Sequence, residues 1–174
     1  MGLNNTPLSE RIHIGIFGRR NAGKSSVINA MTGQNLAIVS DVAGTTTDPV
    51  QKAMELLPLG PVVMIDTPGL DDVGELGKMR VEKAYQVLQK TDIAVIVIDA
   101  SVGETAEDAA ILAEIQKRSI PYIIVKNKAD LTQKQDGENE IFVSAKTGEN
   151  ISVLKERIAA LAPKGEKERR IIGD

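Results

Sequence analysis

A lysine and a serine close a glycine-bracketed loop near the start of this 174-residue chain. The run GRRNAGKS at 18–25 fits the pattern G-x-x-x-x-G-K-S, between a buried apolar strand and a helix. Glycines let backbone N–H groups curve around phosphate oxygens, and the helix N-terminus attracts an anion. Lys24 is expected to reach the β- and γ-phosphates of a nucleotide, and Ser25 to offer its hydroxyl to Mg²⁺. The predicted phosphate-binding residues are Asn21, Ala22, Gly23, Lys24, Ser25 and Ser26.

A carboxylate and a glycine follow a second apolar run, in the motif DTPG at 66–69. The carboxyl ends of parallel strands meet at the ligand-binding edge of a sheet, so Asp66 should lie beside the phosphate loop. Asp66 is predicted to hold Mg²⁺ through water, and the Gly69 N–H to bind the γ-phosphate.

Two later motifs have the chemistry to recognise a guanine base. NKAD at 127–130 follows the apolar run YIIV, and SAK at 144–146 follows another. Asp130 can accept hydrogen bonds from guanine N1 and N2, which adenine cannot match, and such contacts select strongly between bases. Lys128 is expected to lay its stem along the base, and Asn127 to tie this loop to the phosphate loop. In the last motif, of Ser144, Ala145 and Lys146, the Ala145 N–H can meet guanine O6.

Strands and helices alternate along the chain between these motifs. Hydrophobic patterning predicts strands at 12–17, 53–57, 62–66, 93–99, 121–125 and 140–143. Helices are predicted at 24–31, 76–90, 105–118 and 151–161, with Thr105 and Asp108 as a capping box. The predicted fold class is α/β, a P-loop NTPase fold with a mostly parallel six-stranded sheet, one antiparallel edge strand and helices on both faces.

Three segments are expected along the chain. Residues 1–10 form a polar arm, residues 11–162 a nucleotide-binding domain, and residues 163–174 a charged linker with the start of a following domain. The chain has no cysteine, so these residues hold no cysteine-ligated iron–sulfur cluster. The absence of cysteine fits a cytoplasmic protein, no apolar run is long enough to span a membrane, and a net charge of −3 disfavours direct nucleic-acid contact.

The ordered motifs resemble the translation-factor-related GTPases, and more closely the group that acts in tRNA modification and ribosome assembly. This resemblance covers residues 11 to about 162 and implies a Ras-like domain that binds GTP and GDP. The run SDVAGTTTDP resembles that group's first switch, usually a Gly-Thr-Thr-Arg-Asp run. By that match Thr46 places its hydroxyl on Mg²⁺ and its N–H toward the γ-phosphate. Thr47 stands where the group has arginine, which puts that arginine's role in doubt.

Longer segments resemble the GTPase domain of the iron-only hydrogenase maturation GTPases, the HydF family. They are GRRNAGKSS, the run from VSDVAGTTTDP through VVMIDTPGLDD, and RIIGD after the charged linker. The resemblance implies a switch domain for maturation of the hydrogenase cluster. It also implies a dimerisation domain and an iron–sulfur-cluster domain further along the chain, and other maturation proteins or the hydrogenase as partners. A GTPase acting in tRNA modification or ribosome assembly is the alternative.

In Ras-like enzymes a glutamine follows the glycine of the motif that corresponds to DTPG at 66–69. Here Leu70 stands in that position, so catalysis must proceed without the glutamine. Asp71, Asp72 and Glu75 are candidates to position water. In the resembled group an asparagine at the position of Asn21 marks dependence on K⁺. The charge of that ion would act on the phosphates as an arginine finger does. Lys24, Thr46, Gly69 and Asn21 are therefore the expected catalytic residues, with slow turnover. A GTP-binding scaffold that does not hydrolyse is a third interpretation.

Overall fold

The computed structural model describes residues 11–18, 22–33, 50–66, 82–128, 137 and 139–162. Six strands lie in these segments: β1 Ile12–Gly18, β2 Val50–Leu56, β3 Gly60–Asp66, β4 Ile93–Asp99, β5 Tyr122–Asn127 and β6 Glu140–Phe142. The helices are α1 Lys24–Thr32, α2 at 82–88, α3 Ala106–Lys117 and α4 Ile151–Leu161. No helix in these segments has the length and hydropathy needed to cross a membrane.

The strands form one sheet in the order β2-β3-β1-β4-β5-β6. Every pair is parallel except β2 with β3, which is antiparallel at one edge. This arrangement confirms the predicted mostly parallel α/β sheet with one antiparallel edge strand. It also brings the carboxyl ends of β3, β1, β4 and β5 to the same edge, where the predicted ligand-binding motifs lie.

Helices cover both faces of the sheet, and each face has its own apolar cluster. On one face Val27 and Met31 of α1 and Leu154 of α4 pack against strand residues such as Ile14. On the other face the aliphatic side chains of α2 and α3 pack against Phe17 and its neighbours. The central strands are buried from both sides, which explains their continuous apolar sequences.

Local sequence sets the ends of two helices. Gly33 ends α1 in a left-handed conformation, φ 68°, and its N–H donates to Asn29 O. Thr105 caps α3, and the predicted capping box is complete because Thr105 Oγ1 accepts from the Asp108 N–H while Asp108 Oδ2 accepts from the Thr105 N–H. The predicted starts and ends of these helices are confirmed to within one residue.

Three strands extend at least two residues beyond the apolar pattern at one end, and one of them is β3, which begins at Gly60 rather than at 62. β2 begins at Val50 rather than at 53, and β5 extends to Asn127 rather than to 125. The added residues are mostly polar, so they carry no hydrophobic signal. They belong to strands because they pair with neighbours: Gln51 lies opposite Ile65, and Asn127 opposite Asp99.

Three predicted segments fall partly or wholly outside the described residues. Of the helix predicted at 76–90, the described part is helical at 82–88 and turns at 89–90. The arm predicted at 1–10 and the linker predicted at 163–174 lie outside the described residues.

Candidate functional site

Two of the predicted phosphate and metal-binding residues contact each other at the sheet edge. Lys24 begins α1 and Asp66 ends β3, and Lys24 Nζ lies 2.9 Å from Asp66 Oδ1. Lys24 is only 5% exposed as a residue. The strand register explains the meeting, because β1, which leads into the loop before Lys24, pairs in parallel with β3 at Ile16 and Asp66.

The Asp66 carboxylate oxygen in this contact is also suited to bind a metal cation. Asp66 Oδ1 is buried and accepts no hydrogen bond of good geometry among the described residues, although Lys24 Nζ is within ion-pair distance. A buried oxygen in that state is expected to have a polar partner. Ser25, half-buried one residue after Lys24, adds a hydroxyl. Carboxylate and hydroxyl oxygens are the donors that Mg²⁺ prefers, so the residues present fit this ion.

The first turn of α1 begins without a capping side chain. Gly23 occupies the N-cap position with φ 83°, a left-handed conformation that favours glycine. Its carbonyl accepts the Val27 N–H at 2.9 Å, which starts the helical ladder. The N–H groups of the first helical turn point out of the helix N-terminus, where they and the helix dipole attract an anion.

Asn127 joins the phosphate loop to the last predicted motif. Its Nδ2 donates to Ala22 O at 3.0 Å, and its Oδ1 accepts from the Ala145 N–H, also at 3.0 Å. The side chain is buried, with the residue 3% exposed. The predicted link between the loop after β5 and the phosphate loop is therefore present in the structure. The Ala145 N–H, predicted to meet guanine O6, donates here to Asn127, so its contact with a base stays a prediction.

A tight turn carries the last motif. Ser144 is fully buried, and its Oγ accepts from the Thr147 N–H at 3.2 Å. The Ser144 N–H donates to Glu149 O, which closes the turn before α4. Lys146 is exposed on this turn. Ser144 thus supports the turn from inside, while Ala145 faces Asn127.

Lys128 follows Asn127 with its backbone in a left-handed conformation, φ 67°. Its Nζ donates to Asp99 Oδ2 at 2.9 Å. Burial raises the pKa of Asp99, but hydrogen bonds from Ser101 and Lys128 to the carboxylate outweigh it, so the pKa lies below its usual value. Asp99 is therefore an anion at neutral pH.

Asp99 and Ser101 were not among the residues predicted from sequence. Asp99 ends the buried run IAVIVID as Asp66 ends VVMID, so the rule that selected Asp66 also selects Asp99. Its contact with Ser101 is local, two residues along the chain, but its contact with Lys128 is a tertiary one that no local pattern shows. Four predicted site residues, Asn21, Thr46, Gly69 and Asp130, lie outside the described residues, so their positions stay predictions.

Comparisons with known proteins agree with this arrangement. A profile of the 50S ribosome-binding GTPase family matches residues 13–128. The tRNA modification GTPase MnmE of Laribacter hongkongensis is 36% identical over 169 residues, which is 92% of this chain and 37% of that protein. MnmE of Chromobacterium violaceum is 35% identical over 158 residues, 87% of this chain and 35% of that protein. The chain thus spans little more than a third of these relatives.

Solved structures are similar over the same region. Aquifex aeolicus Era, bound to GDP and AlF4⁻, matches with a TM-score of 0.73 and 28% identity, over 87% of this chain and 56% of that one. The chain belongs to the 50S ribosome-binding GTPase family, and it is a P-loop GTPase domain of the group that includes Era and the tRNA modification GTPases. The predicted fold and the predicted GTPase class are confirmed.

Proposed function

We propose that this domain is a Mg²⁺-dependent GTPase switch. It binds GTP, changes its conformational state when the GTP is hydrolysed, and turns over slowly. The observation that carries the proposal is the double hydrogen bond of Asn127, to Ala22 O and from the Ala145 N–H. It joins the phosphate-binding motif to both motifs with guanine chemistry. A nucleotide could then contact all three at once.

The predicted phosphate- and metal-binding residues have separate roles in this proposal. Lys24, held at the sheet edge beside Asp66, would turn its ammonium to the β- and γ-phosphates, and the first-turn amides of α1 would bind phosphate oxygens. Ser25 and Asp66 would hold Mg²⁺, with Thr46 as a further ligand. When bound, Mg²⁺ neutralises negative charge on the phosphates as the bond to the γ-phosphate breaks.

Binding specificity tests the proposal. Calorimetry with Mg²⁺ should show that the domain binds GDP far more tightly than ADP, since the polar contacts proposed for Asp130 match guanine alone. Equal affinity for the two nucleotides would contradict the guanine assignment. GTP bound but not hydrolysed in a single-turnover assay with K⁺ would support the scaffold interpretation instead.

A bound K⁺ is the second part of the proposal. It rests on the resemblance that assigns Asn21 as a K⁺ ligand beside the phosphates. The ion would supply the positive charge that other GTPases obtain from an arginine. Leu70, which follows the glycine of the second motif, has no group able to orient water, so help from another group is needed.

For the role of the parent protein, the relatives favour tRNA modification over hydrogenase maturation. They are named tRNA modification GTPases, and their similarity extends over 92% of this chain in one case. However, it covers only 37% of that relative, and a domain of this fold serves many functions. tRNA modification is therefore the candidate that the comparisons support.

Hydrogenase maturation is a second candidate, and sequence details favour it. Thr47 replaces the usual switch arginine of the tRNA-modification group, and the segments from GRRNAGKSS to RIIGD resemble the maturation GTPases. In that case the dimerisation and iron–sulfur-cluster domains would follow this one.

Deletion of the gene in its own organism separates the two roles. Mass spectrometry of tRNA nucleosides would show a lost modification if the protein acts on tRNA. Unchanged nucleosides with lost hydrogenase activity would support maturation and contradict tRNA modification. If the full-length gene restores the lost tRNA modification or hydrogenase activity and its Lys24→Met variant does not, that role depends on the GTPase domain.

A further inference from the structure

Asp99 holds a fixed position beside the loop that follows β5. It is the last residue of β4 and lies opposite Asn127 in the parallel register. The Ala100 N–H donates to Asn127 O at 2.8 Å, which extends the pairing of the two strands by one residue. The backbones that carry Asp99 and Lys128 are thereby locked side by side.

The two carboxylate oxygens of Asp99 have separate partners. Oδ1 accepts from the Ser101 N–H at 2.9 Å and from the Ser101 hydroxyl at 2.6 Å. The Gly103 N–H donates to the Asp99 carbonyl at 2.8 Å, so the following turn is also closed on this residue. Oδ2 accepts from Lys128 Nζ at 2.9 Å. One oxygen therefore fixes the carboxylate, and the other is directed at the lysine.

Lys128 is constrained at both ends of its side chain. Its backbone has φ 67°, an uncommon conformation for a residue with a β-carbon. Its ammonium is held by Asp99, although the lysine side chain is 38% exposed and the aspartate side chain 14%. Such a partly exposed ion pair contributes only modestly to folding stability. Its value here lies in the conformation that it selects for the lysine stem.

We propose that Asp99 is a positioning residue for guanine-nucleotide binding, which orients the stem of Lys128 against the base through a carboxylate that Ser101 fixes. The proposal rests on the proposed function, in which Lys128 lies along the base. A long side chain that is ordered beforehand loses less conformational freedom when the ligand binds. Loss of the Asp99 charge should weaken GDP binding about two- to tenfold.

The test is a double-mutant cycle on Asp99 and Lys128, read as the dissociation constant for a fluorescent GDP. Asp99→Asn keeps an oxygen that can accept from Ser101 but removes the charge that orients the lysine. It should weaken GDP binding about two- to tenfold in the otherwise native domain. In a Lys128→Ala background it should change the affinity by less than about twofold, since no lysine remains to be positioned.

Two controls accompany the cycle. Glu114→Gln removes one carboxylate charge from an ion pair with Arg118 on α3 and should leave GDP affinity unchanged. If Asp99→Asn does not fold, as judged by circular dichroism, Ser101→Ala replaces it, because it removes only the 2.6 Å hydroxyl contact that fixes the carboxylate.

Two results would overturn the positioning role. One is native GDP affinity in the Asp99→Asn domain. The other is an equal loss in the native and Lys128→Ala backgrounds, which would make Asp99 a support of the turn alone. Failure of the underlying function looks different, because the native domain would then show no preference for GDP over ADP.

Discussion

Lys24 and Asp66 meet at 2.9 Å although 42 positions of the chain separate them. Their contact brings the cation of the phosphate-binding motif to the carboxylate of the second motif. Lys24→Met should reduce GTP hydrolysis by about a hundredfold, since it removes the charge that is proposed to contact the transferred phosphate. Lys126→Met is the matched control: it breaks an ion pair of 3.3 Å with Glu140 on β6 and should leave the hydrolysis rate unchanged. Similar rates for both variants would exclude Lys24 from catalysis.

Asn127 should be essential to nucleotide binding. Asn127→Ala leaves the Ala22 carbonyl and the Ala145 N–H without their buried partner, which should cost about 2–4 kcal/mol of unfolding free energy. It should also weaken GDP binding at least about tenfold, because the loops lose their common anchor. Urea denaturation and calorimetry measure the two effects.

Asn150 offers the control for this change. Its Nδ2 donates to Phe142 O at 2.9 Å, and its φ of 64° suits glycine. Asn150→Gly should cost about 1 kcal/mol of stability with GDP affinity retained. If Asn127→Ala bound GDP as well as Asn150→Gly does, the link between the loops would have no role in binding.

Gly23 tests the space beside Asn127. A β-carbon at Gly23 would overlap Asn127 Nδ2, and the φ of 83° adds backbone strain. Gly23→Ala should therefore lose nucleotide binding and be less stable than Gly33→Ala. Gly33 has a comparable φ of 68°, and within the described part of the chain no atom lies within 4 Å of an added β-carbon, so alanine there should cost only about 1–2 kcal/mol. Equal melting temperatures for the two variants would contradict the predicted clash.

The lowered pKa of Asp99 predicts a pH-dependent stability. Hydrogen bonds to the carboxylate hold its pKa in the folded state below the unfolded value of about 4. Its contribution to stability is therefore fully present above that pH and is lost as the pH falls through the folded pKa. The difference in unfolding free energy between the native domain and Asp99→Asn should be constant from pH 7 to pH 5 and shrink near pH 3.5. A constant difference down to pH 3.5 would show that the pKa is not lowered.

Potassium dependence follows from the proposed role of Asn21. GTP hydrolysis should be about tenfold or more faster in KCl than in NaCl of equal concentration, because the ion supplies charge to the transition state. Asn21→Ala should remove the difference between the salts. Asn139→Ala, at the loop before β6, should keep it. Equal native rates in the two salts would reject the K⁺ site.

Most of the fold could be predicted because its signals are local. The apolar run of β4 gave its bounds of Ile93–Asp99, and Thr105 with Asp108 marked the start of α3. The first residues of β2 and the last of β5 could not be predicted from hydrophobicity. Gln51 and Lys52 of β2 and Lys126 and Asn127 of β5 are polar, and only hydrogen bonding to a neighbouring strand makes them part of the sheet.

The site likewise contains contacts that the sequence predicts and contacts that only the folded structure reveals. Lys24 and Asp66 were predicted to be neighbours because a parallel sheet gathers the ends of its strands. The acceptor role of Asn127, toward the Ala145 N–H, depends on the turn around Ser144, which a motif does not reveal. The role of Asp99 likewise depends on the left-handed backbone of Lys128, which the sequence gives no reason to expect.

The hydrogen bond from Asn127 to Ala22 spans 105 positions of the chain. During synthesis, the phosphate loop leaves the ribosome well before the strand that anchors it. A nascent chain that ends before β5 lacks this anchor, so firm capture of nucleotide must await the carboxyl-terminal half of the domain. Guanine nucleotide would then report completed folding, since it stabilises only chains in which both halves have come together.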